Sequence, residues 1–363
     1  MPRTTDFKFL WALIIALNLF GLLMILSASS VSSLYQYGSS WYQFRLQVLW
    51  FLIGCAVMFA MSRISYERLT NAMKPLLVVT AALMTAVLVP VLGVSVNGAS
   101  RWIELGPLRV QPSELAKLAV IIYAADTMTR RVGQIDDWKM VLRPVAIVFS
   151  GFAALLMFQP NLGTTIILAT IVLVMLFVGG VPGKALALLS GLLVAGATLF
   201  AFTEPYRFRR LMAFRDPWAD PLNTGFQTIQ SQIGFANGGV LGTGLGQGRA
   251  KWGFLPEAHT DFIYAIIGEE LGLVGSVLII AMFLALALFG VRTVLHARDR
   301  FGMLLATGIT TWILIQAFIN IGASVGVLPI TGVPLPFVSA GGSSLIFTMA
   351  ASGILLNIAR QER

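Results

Sequence analysis

The chain has 363 residues, 57% of them hydrophobic and 11% charged, against roughly 45–50% apolar and about 25% charged in an ordinary soluble domain. A mean hydropathy of +0.83 excludes disorder, which requires low hydrophobicity, and a single cysteine, Cys55, excludes a disulfide scaffold. The net charge of +9 is distributed between apolar runs, as in the loops of an integral membrane protein, and does not point to nucleic acid.

A membrane-crossing helix needs about 20 mostly apolar residues. The first run, 9–26, follows Arg3 and Lys8 and precedes Ser27-Ala28-Ser29, which resembles a cleavage site. It is longer than the about 7–15 residues of a signal h-region and reads as a retained helix. Continuing along the chain, spans are predicted at roughly 9–28, 45–62, 75–94, 113–129, 144–158, 163–181, 185–203, 261–290, 303–325 and 343–358. The expected fold is all-α: a polytopic membrane protein of about ten helices, one domain over 1–363, with a large extracytoplasmic loop, 204–260, between helices 7 and 8. With the N-terminus in the cytoplasm, the inner segments hold Arg63, Arg68, Lys74, Arg130, Arg131, Lys139 and Arg143, among others. The short outer loops hold only Arg45, Arg101 and Arg109. This bias places both termini inside. The long loop carries Arg207, Arg209, Arg210, Arg215, Arg249 and Lys251; loops of this length are usually functional, and the apolar stretch 226–235 suggests a short interfacial or re-entrant helix.

Charges at membrane depth are costly and functional by default. Glu114 and Lys117 stand three residues apart and share a helix face, either as a structural ion pair or as site residues. Asp126 pairs with Arg130 at i+4. Asp261, in Leu255-Pro256-Glu257-Ala258-His259-Thr260-Asp261-Phe262, lies where the long loop re-enters the membrane. It is an N-cap or, if Thr260 caps the helix instead, a general base. Glu269 and Glu270 fall deeper in the same span, and His259 could be a base or a metal ligand. No His/Cys/Asp/Glu cluster has metal-site spacing.

Three glycine- or proline-rich stretches interrupt the helical pattern. The run 238–248 has many glycines but neither dinucleotide nor P-loop spacing; its backbone N–H groups could meet a lipid diphosphate. The run 328–344 contains Pro329, Pro334 and Pro336 and then Gly341-Gly342-Ser343-Ser344. It cannot form a continuous helix, and Ser343 and Ser344 open a helix N-terminus suited to an anion. Phe158-Gln159-Pro160-Asn161-Leu162-Gly163-Thr164 is a second break.

Together with Asn97-Gly98-Ala99-Ser100-Arg101-Trp102, Gln111-Pro112-Ser113-Glu114-Leu115-Ala116-Lys117 and Gly268-Glu269-Glu270-Leu271-Gly272, these stretches resemble the SEDS family (shape, elongation, division, sporulation), the FtsW/RodA cell-wall proteins of bacteria. The resemblance covers nearly the whole chain. It implies a glycosyltransferase of the bacterial cytoplasmic membrane that polymerises lipid II into glycan strands and releases undecaprenyl diphosphate. The family's essential aspartate falls on Asp261 and its polar pair on Glu114 and Lys117. Asp216-Pro217-Trp218, Gln227-Thr228-Ile229-Gln230-Ser231 and Lys251-Trp252 resemble the division branch, FtsW, more than the elongation branch, RodA, which places the protein at the division septum. Two positions depart from the family pattern: Asn161 stands where Asp is usual, and Ala340 where an aromatic residue is common. The resemblance implies a class B penicillin-binding transpeptidase as partner, with other division or elongation membrane proteins and no nucleic acid.

Such a reaction needs a base for the acceptor hydroxyl and positive charge on the diphosphate. Asp261 is the candidate base. Arg101, Lys117, Arg207, Arg209, Arg210, Arg249, Lys251, His259, Ser343 and Ser344 are candidates for binding substrate or diphosphate. A divalent cation, Mg²⁺ or Mn²⁺, could share that load. The rival class is a carrier that flips lipid II, since buried charges and broken helices also mark transporters.

Overall fold

A computed structural model of the chain describes residues 4–90, 92–96, 99–105, 108–133, 138–203 and 213–361. The helices are α1 (Thr4–Tyr37), α2 (Tyr42–Arg63), α3 (Leu69–Ala86), α4 (Pro112–Arg130), α5 (Trp138–Phe158), α6 (Leu162–Val178), α7 (Gly183–Thr203), α8 (Phe226–Gly238), α9 (Ile263–His296), α10 (Arg300–Val325) and α11 (Gly342–Arg360). Among the described residues seven of these, α1, α2, α3, α5, α9, α10 and α11, are long and apolar enough to cross a membrane. The chain is a multi-pass membrane protein. The other expected spans correspond to α6 and α7, whose apolar stretches are shorter, and to α4, which carries Glu114, Lys117, Asp126 and Arg130.

Polarity decides which helices lie inside. In the most apolar stretches of α10 and α11, 72% and 83% of residues are buried, against 39% or less in α1, α2, α3, α5 and α9. Side chains such as Leu23, Leu52, Ile147 and Leu284 point outward, which suits hydrocarbon as solvent. The polar helix α4 is buried along nearly its whole length, because charges are tolerated at this depth only against protein. Helix α1 belongs to the core through Leu10, Ile14, Leu17, Met24 and Ile25, all fully buried.

Two expectations are corrected. The span read at 75–94 ends at Ala86, and the chain turns into an antiparallel sheet of β1 (Gly93–Val96), β2 (Ala99–Leu105) and β3 (Leu108–Val110), in the order β1-β2-β3. Pairings such as Val94↔Trp102 and Ile103↔Val110 set its register. The strands are short, and β2 and β3 carry Arg101, Glu104 and Arg109, so no apolar run or clean alternation marks the sheet. The span read as continuous over 261–290 is interrupted at Gly272, whose φ of 64° and ψ of −158° are outside helical space and suit a residue without Cβ. The part that follows, 273–296, is long enough to cross the hydrocarbon core alone at 1.5 Å per residue. The N–H groups freed at the break are taken by the long loop: Leu273 donates to Gly239 O at 2.9 Å and Val274 to Val240 O at 3.3 Å. Within that loop the stretch 226–235 is helical, as α8, which packs on α9 and α10.

Candidate active site

Asp261 sits one residue before the cap of α9. The cap is Phe262, with no side-chain hydrogen bond. Thr260 does not cap the helix; its hydroxyl turns back to Glu257, to the carbonyl at 3.2 Å and the carboxylate at 3.0 Å. A tight turn at Glu257 (φ 55°) lets its carbonyl accept from the N–H groups of Thr260 and Phe262, each at 3.2 Å. The chain from His259 to Asp261 is then fixed by its carbonyls to the broken segment and to α10. Ala340 N–H donates to His259 O at 2.9 Å, Ser339 Oγ donates to Thr260 O at 2.6 Å, and Asn320 Nδ2 donates to Asp261 O at 2.8 Å. The same Asn320 amide donates to Val333 O at 2.8 Å. The Asp261 side chain is half-buried and faces Gly332 (φ 70°), where an added Cβ would lie 3.5 Å from Oδ2. A residue other than glycine at 332 would thus strain the backbone beside the carboxylate. The His259 imidazole is half-buried; burial pushes its pKa below the usual histidine range, partly offset by Glu257.

Behind this platform lies a closed polar network. Lys117 is 1% exposed and Glu114 3%. Lys117 Nζ donates to Glu114 Oε1 and to Gln316 Oε1, each at 2.8 Å, and sits 4.6 Å from the centre of the Trp312 ring. Trp312 Nε1 also donates to Gln316 Oε1, at 2.8 Å, and Gln316 Nε2 donates to Pro334 O at 3.0 Å. Ser344 Oγ donates to Glu114 Oε2 at 3.1 Å, and Ser343 Oγ accepts from Gln111 N–H at 3.2 Å. The buried pair therefore braces the proline-rich segment and the start of α11. Ser343 and Ser344 are engaged by α4 and its cap, and do not stand open to an anion.

The glycine run is an anion cradle whose anions are supplied by α9. Glu269 accepts from Arg249 N–H at 2.9 Å and Ala250 N–H at 3.0 Å. Glu270 accepts from Gly246 N–H at 3.0 Å and Gly248 N–H at 3.4 Å, from Ser27 Oγ at 2.7 Å, and from Lys251 Nζ at 2.8 Å. Lys251 is thus buried as a brace between loop and helix, while Arg249 is exposed. Arg207, Arg209 and Arg210 lie outside the described residues. Arg101 donates from Nε to Gln159 O at 3.2 Å and from its terminal nitrogen to Pro160 O, so it ties β2 to the α5–α6 break. There Gln159 Nε2 donates to Met84 O at 2.8 Å, and Asn161 caps α6 by accepting from Thr164 N–H at 3.3 Å. Among the described residues no three His, Cys, Asp or Glu side chains converge as a metal site would require.

Comparison with known proteins bears on this arrangement. A family model described as cell cycle protein, the FtsW/RodA/SpoVE group, matches residues 7–363. The chain belongs to that family. It is 42% identical over 349 residues to the probable peptidoglycan glycosyltransferase FtsW of Geobacter metallireducens, covering 96% of this chain and 93% of that one. It is 40% identical over 344 residues to stage V sporulation protein E of Bacillus subtilis, covering 94% of each. Among solved structures it resembles a chain of a peptidoglycan synthase complex that coordinates polymerization and crosslinking, with a TM-score of 0.80, 28% identity and 97% of each chain covered. It also resembles RodA of Thermus thermophilus, with a TM-score of 0.71, 27% identity and coverage of 97% and 96%.

In this FtsW/RodA/SpoVE member, sequence reading passed over Trp312, Gln316 and Asn320. They recur every four residues on one face of α10 and connect Lys117, the broken segment and Asp261. Two amides at that spacing within an apolar span were the available signal. Ser339 lies within the 328–344 run; its role depends on a contact 79 residues away in sequence.

Proposed function

We propose that the protein is a peptidoglycan glycosyltransferase that polymerises lipid II on the outer face of the cytoplasmic membrane, with Asp261 as general base. The observation that carries this reading is the half-buried Asp261 carboxylate, fixed through its own backbone carbonyl where the long loop meets the broken segment. The Lys/Arg bias of the short loops supports a junction on the outside and both termini in the cytoplasm. Family membership and similarity to proteins named peptidoglycan glycosyltransferase support the chemistry.

In the reaction, an Asp261 oxygen takes the proton of the acceptor sugar hydroxyl while the hydroxyl oxygen attacks the anomeric carbon of the donor. The bond between that carbon and the diphosphate oxygen breaks, and the electron pair leaves with undecaprenyl diphosphate. A single displacement of this kind inverts the anomeric centre. Arg249, with Arg207, Arg209 and Arg210 of the same loop, is assigned to the departing diphosphate. Glu114, Lys117, Gln316 and Asn320 are positioning residues. The described side chains do not fit a dedicated metal cage, and no step here runs through a metal. We place the protein in the division branch, at the septum, with a class B penicillin-binding transpeptidase as partner; similarity to a synthase that couples polymerization to crosslinking supports a crosslinking partner.

The carrier reading asks for charges presented to each side of the membrane in turn. Glu114–Lys117 and Glu270–Lys251 are instead closed inside the protein. The test is polymerisation of fluorescent lipid II by purified protein, with divalent cation and with or without the transpeptidase. Glycan ladders are expected from the wild type and not from folded Asp261→Ala. Equal ladders from both would remove Asp261 from the mechanism. Flipping of lipid II in vesicles without ladders would favour the carrier.

A further inference from the structure

A cavity of about 310 Å³ opens beside the catalytic platform, between the long loop and the start of the broken segment. One wall is formed by Asn223, Thr224, Gln227 and Thr228, around the start of α8. The other is formed by Ala213, Phe214, Leu328, Pro329 and Ile330. Ile330 lies two residues before Gly332, which abuts the Asp261 carboxylate, so at most about 7 Å of chain separates the cavity wall from that point.

The lining has a definite chemical character. Among the described residues its lining carries no charged side chain, which suits a neutral ligand better than the carboxylates of a peptide. Nor does it suit a hydrocarbon tail, because Asn223, Thr224, Gln227 and Thr228 bring amides and hydroxyls into the lining. Asn223 and Thr224 are set in place by Asp220, which accepts from Asn223 Nδ2 at 2.9 Å and from Thr224 Oγ1 at 2.9 Å. The Gln227 amide and the Thr228 hydroxyl make no hydrogen bond within the described residues. An amide offers both a donor and an acceptor, and a hydroxyl does likewise. A polar wall of this type facing an aromatic and aliphatic wall matches a pyranose ring, which has hydroxyl and acetamido groups at its edge and C–H groups on its face. The volume is at the lower end of the roughly 300–1,000 Å³ usual for small-molecule sites.

We propose that this cavity is a subsite for a neutral N-acetylated sugar of the glycan, with Gln227 and Thr228 bonding its polar edge and Phe214 packing against its face. The inference rests on the glycosyltransferase reading and adds to it a specific sugar-binding position next to Asp261.

The test uses the full-length protein in lipid nanodiscs of phosphatidylethanolamine and phosphatidylglycerol, which avoids sugar-headed detergents. The probe is tri-N-acetylchitotriose, a neutral β-1,4-linked oligomer, followed by saturation-transfer NMR. Binding by wild type is expected, with inorganic diphosphate failing to compete. Gln227→Leu and Thr228→Val should each weaken it roughly 2–10-fold, as loss of a neutral hydrogen bond does. Using two variants guards against misfolding of either one, and unchanged thermal unfolding qualifies a variant for comparison. No binding by wild type, or equal binding by wild type and both folded variants, would overturn the subsite. Lipid II polymerisation is measured on the same samples, with divalent cation and with the transpeptidase added. Polymerisation without chitotriose binding would reject the subsite alone, whereas binding without polymerisation would keep the subsite and reject the polymerase reading.

Discussion

Asp261 and the Glu269–Glu270 pair are about two helical turns apart on the same stretch of chain, yet they are held in opposite ways. Glu269 and Glu270 are 1% and 0% exposed, and their oxygens are occupied by four backbone N–H groups, Ser27 and Lys251. A carboxylate so enclosed closes a loop onto a broken helix and has no room for a substrate. Asp261 is gripped through its carbonyl by Asn320, and its side chain remains half-buried. The backbone of Asp261 is thus fixed while the carboxylate, the proposed base, is less deeply buried than those of Glu269 and Glu270. At membrane depth, therefore, a charge in itself does not mark the chemistry; what distinguishes the two regions is whether the charge is enclosed by protein.

The largest effect that sharpens this contrast is expected at the other enclosed pair. Lys117→Met leaves Glu114 buried without its cation and should cost about 3–5 kcal/mol of stability, whereas the double variant Glu114→Gln/Lys117→Met should recover much of that loss. Thermal unfolding in detergent measures both, and a double variant as unstable as the single one would mean that the ion pair is not the cause. A smaller effect is expected at the platform. Asn320→Ala removes the donor shared by the carbonyls of Asp261 and Val333 and should cost about 1–3 kcal/mol. Initial rates on lipid II should fall with little change in KM, since the variant misplaces the proposed base and not the substrate.

Smaller still is a pH effect at His259, whose folded-state pKa lies below that of the free side chain because of burial. Its contribution to stability is complete above the unfolded value of about 6.5 and declines as pH falls from there toward the folded value. Unfolding at pH 7.5 and pH 5.5 should show a larger loss for wild type than for His259→Gln. At the bottom of the scale, the exposed Arg109–Glu104 pair across β2 and β3 (60% and 42% exposed) should shift stability by less than about 1 kcal/mol when Arg109 becomes Ala, and the shift should shrink in salt.

Much of this was legible in the sequence. Apolar run length located the helices, and the 328–344 and 158–164 breaks were evident from their prolines and glycines. The Glu114–Lys117 pair followed from its spacing. What the sequence left hidden depended on contacts far apart in the chain. Lys251 and the glycine run looked like binding elements for phosphate because the same N–H groups and ammonium suit any anion; only the fold shows that Glu269 and Glu270 already fill them. Ser343 and Ser344 were misleading for the same reason. The break at Gly272 was hidden because the chain continues apolar beyond it, and the β1–β3 sheet because its strands are short and interrupted by charged residues.

The contrast between an enclosed and an accessible carboxylate is tested most directly by measuring thermal unfolding and lipid II polymerisation side by side for Asp261→Asn and Glu270→Gln. Asp261→Asn should remain folded and lose about 10²–10⁴-fold in polymerisation rate. Glu270→Gln, which strands Lys251 in the interior, should lose about 3–5 kcal/mol of stability while each folded molecule continues to polymerise. Near-normal turnover by a folded Asp261→Asn protein would contradict the assignment of the base.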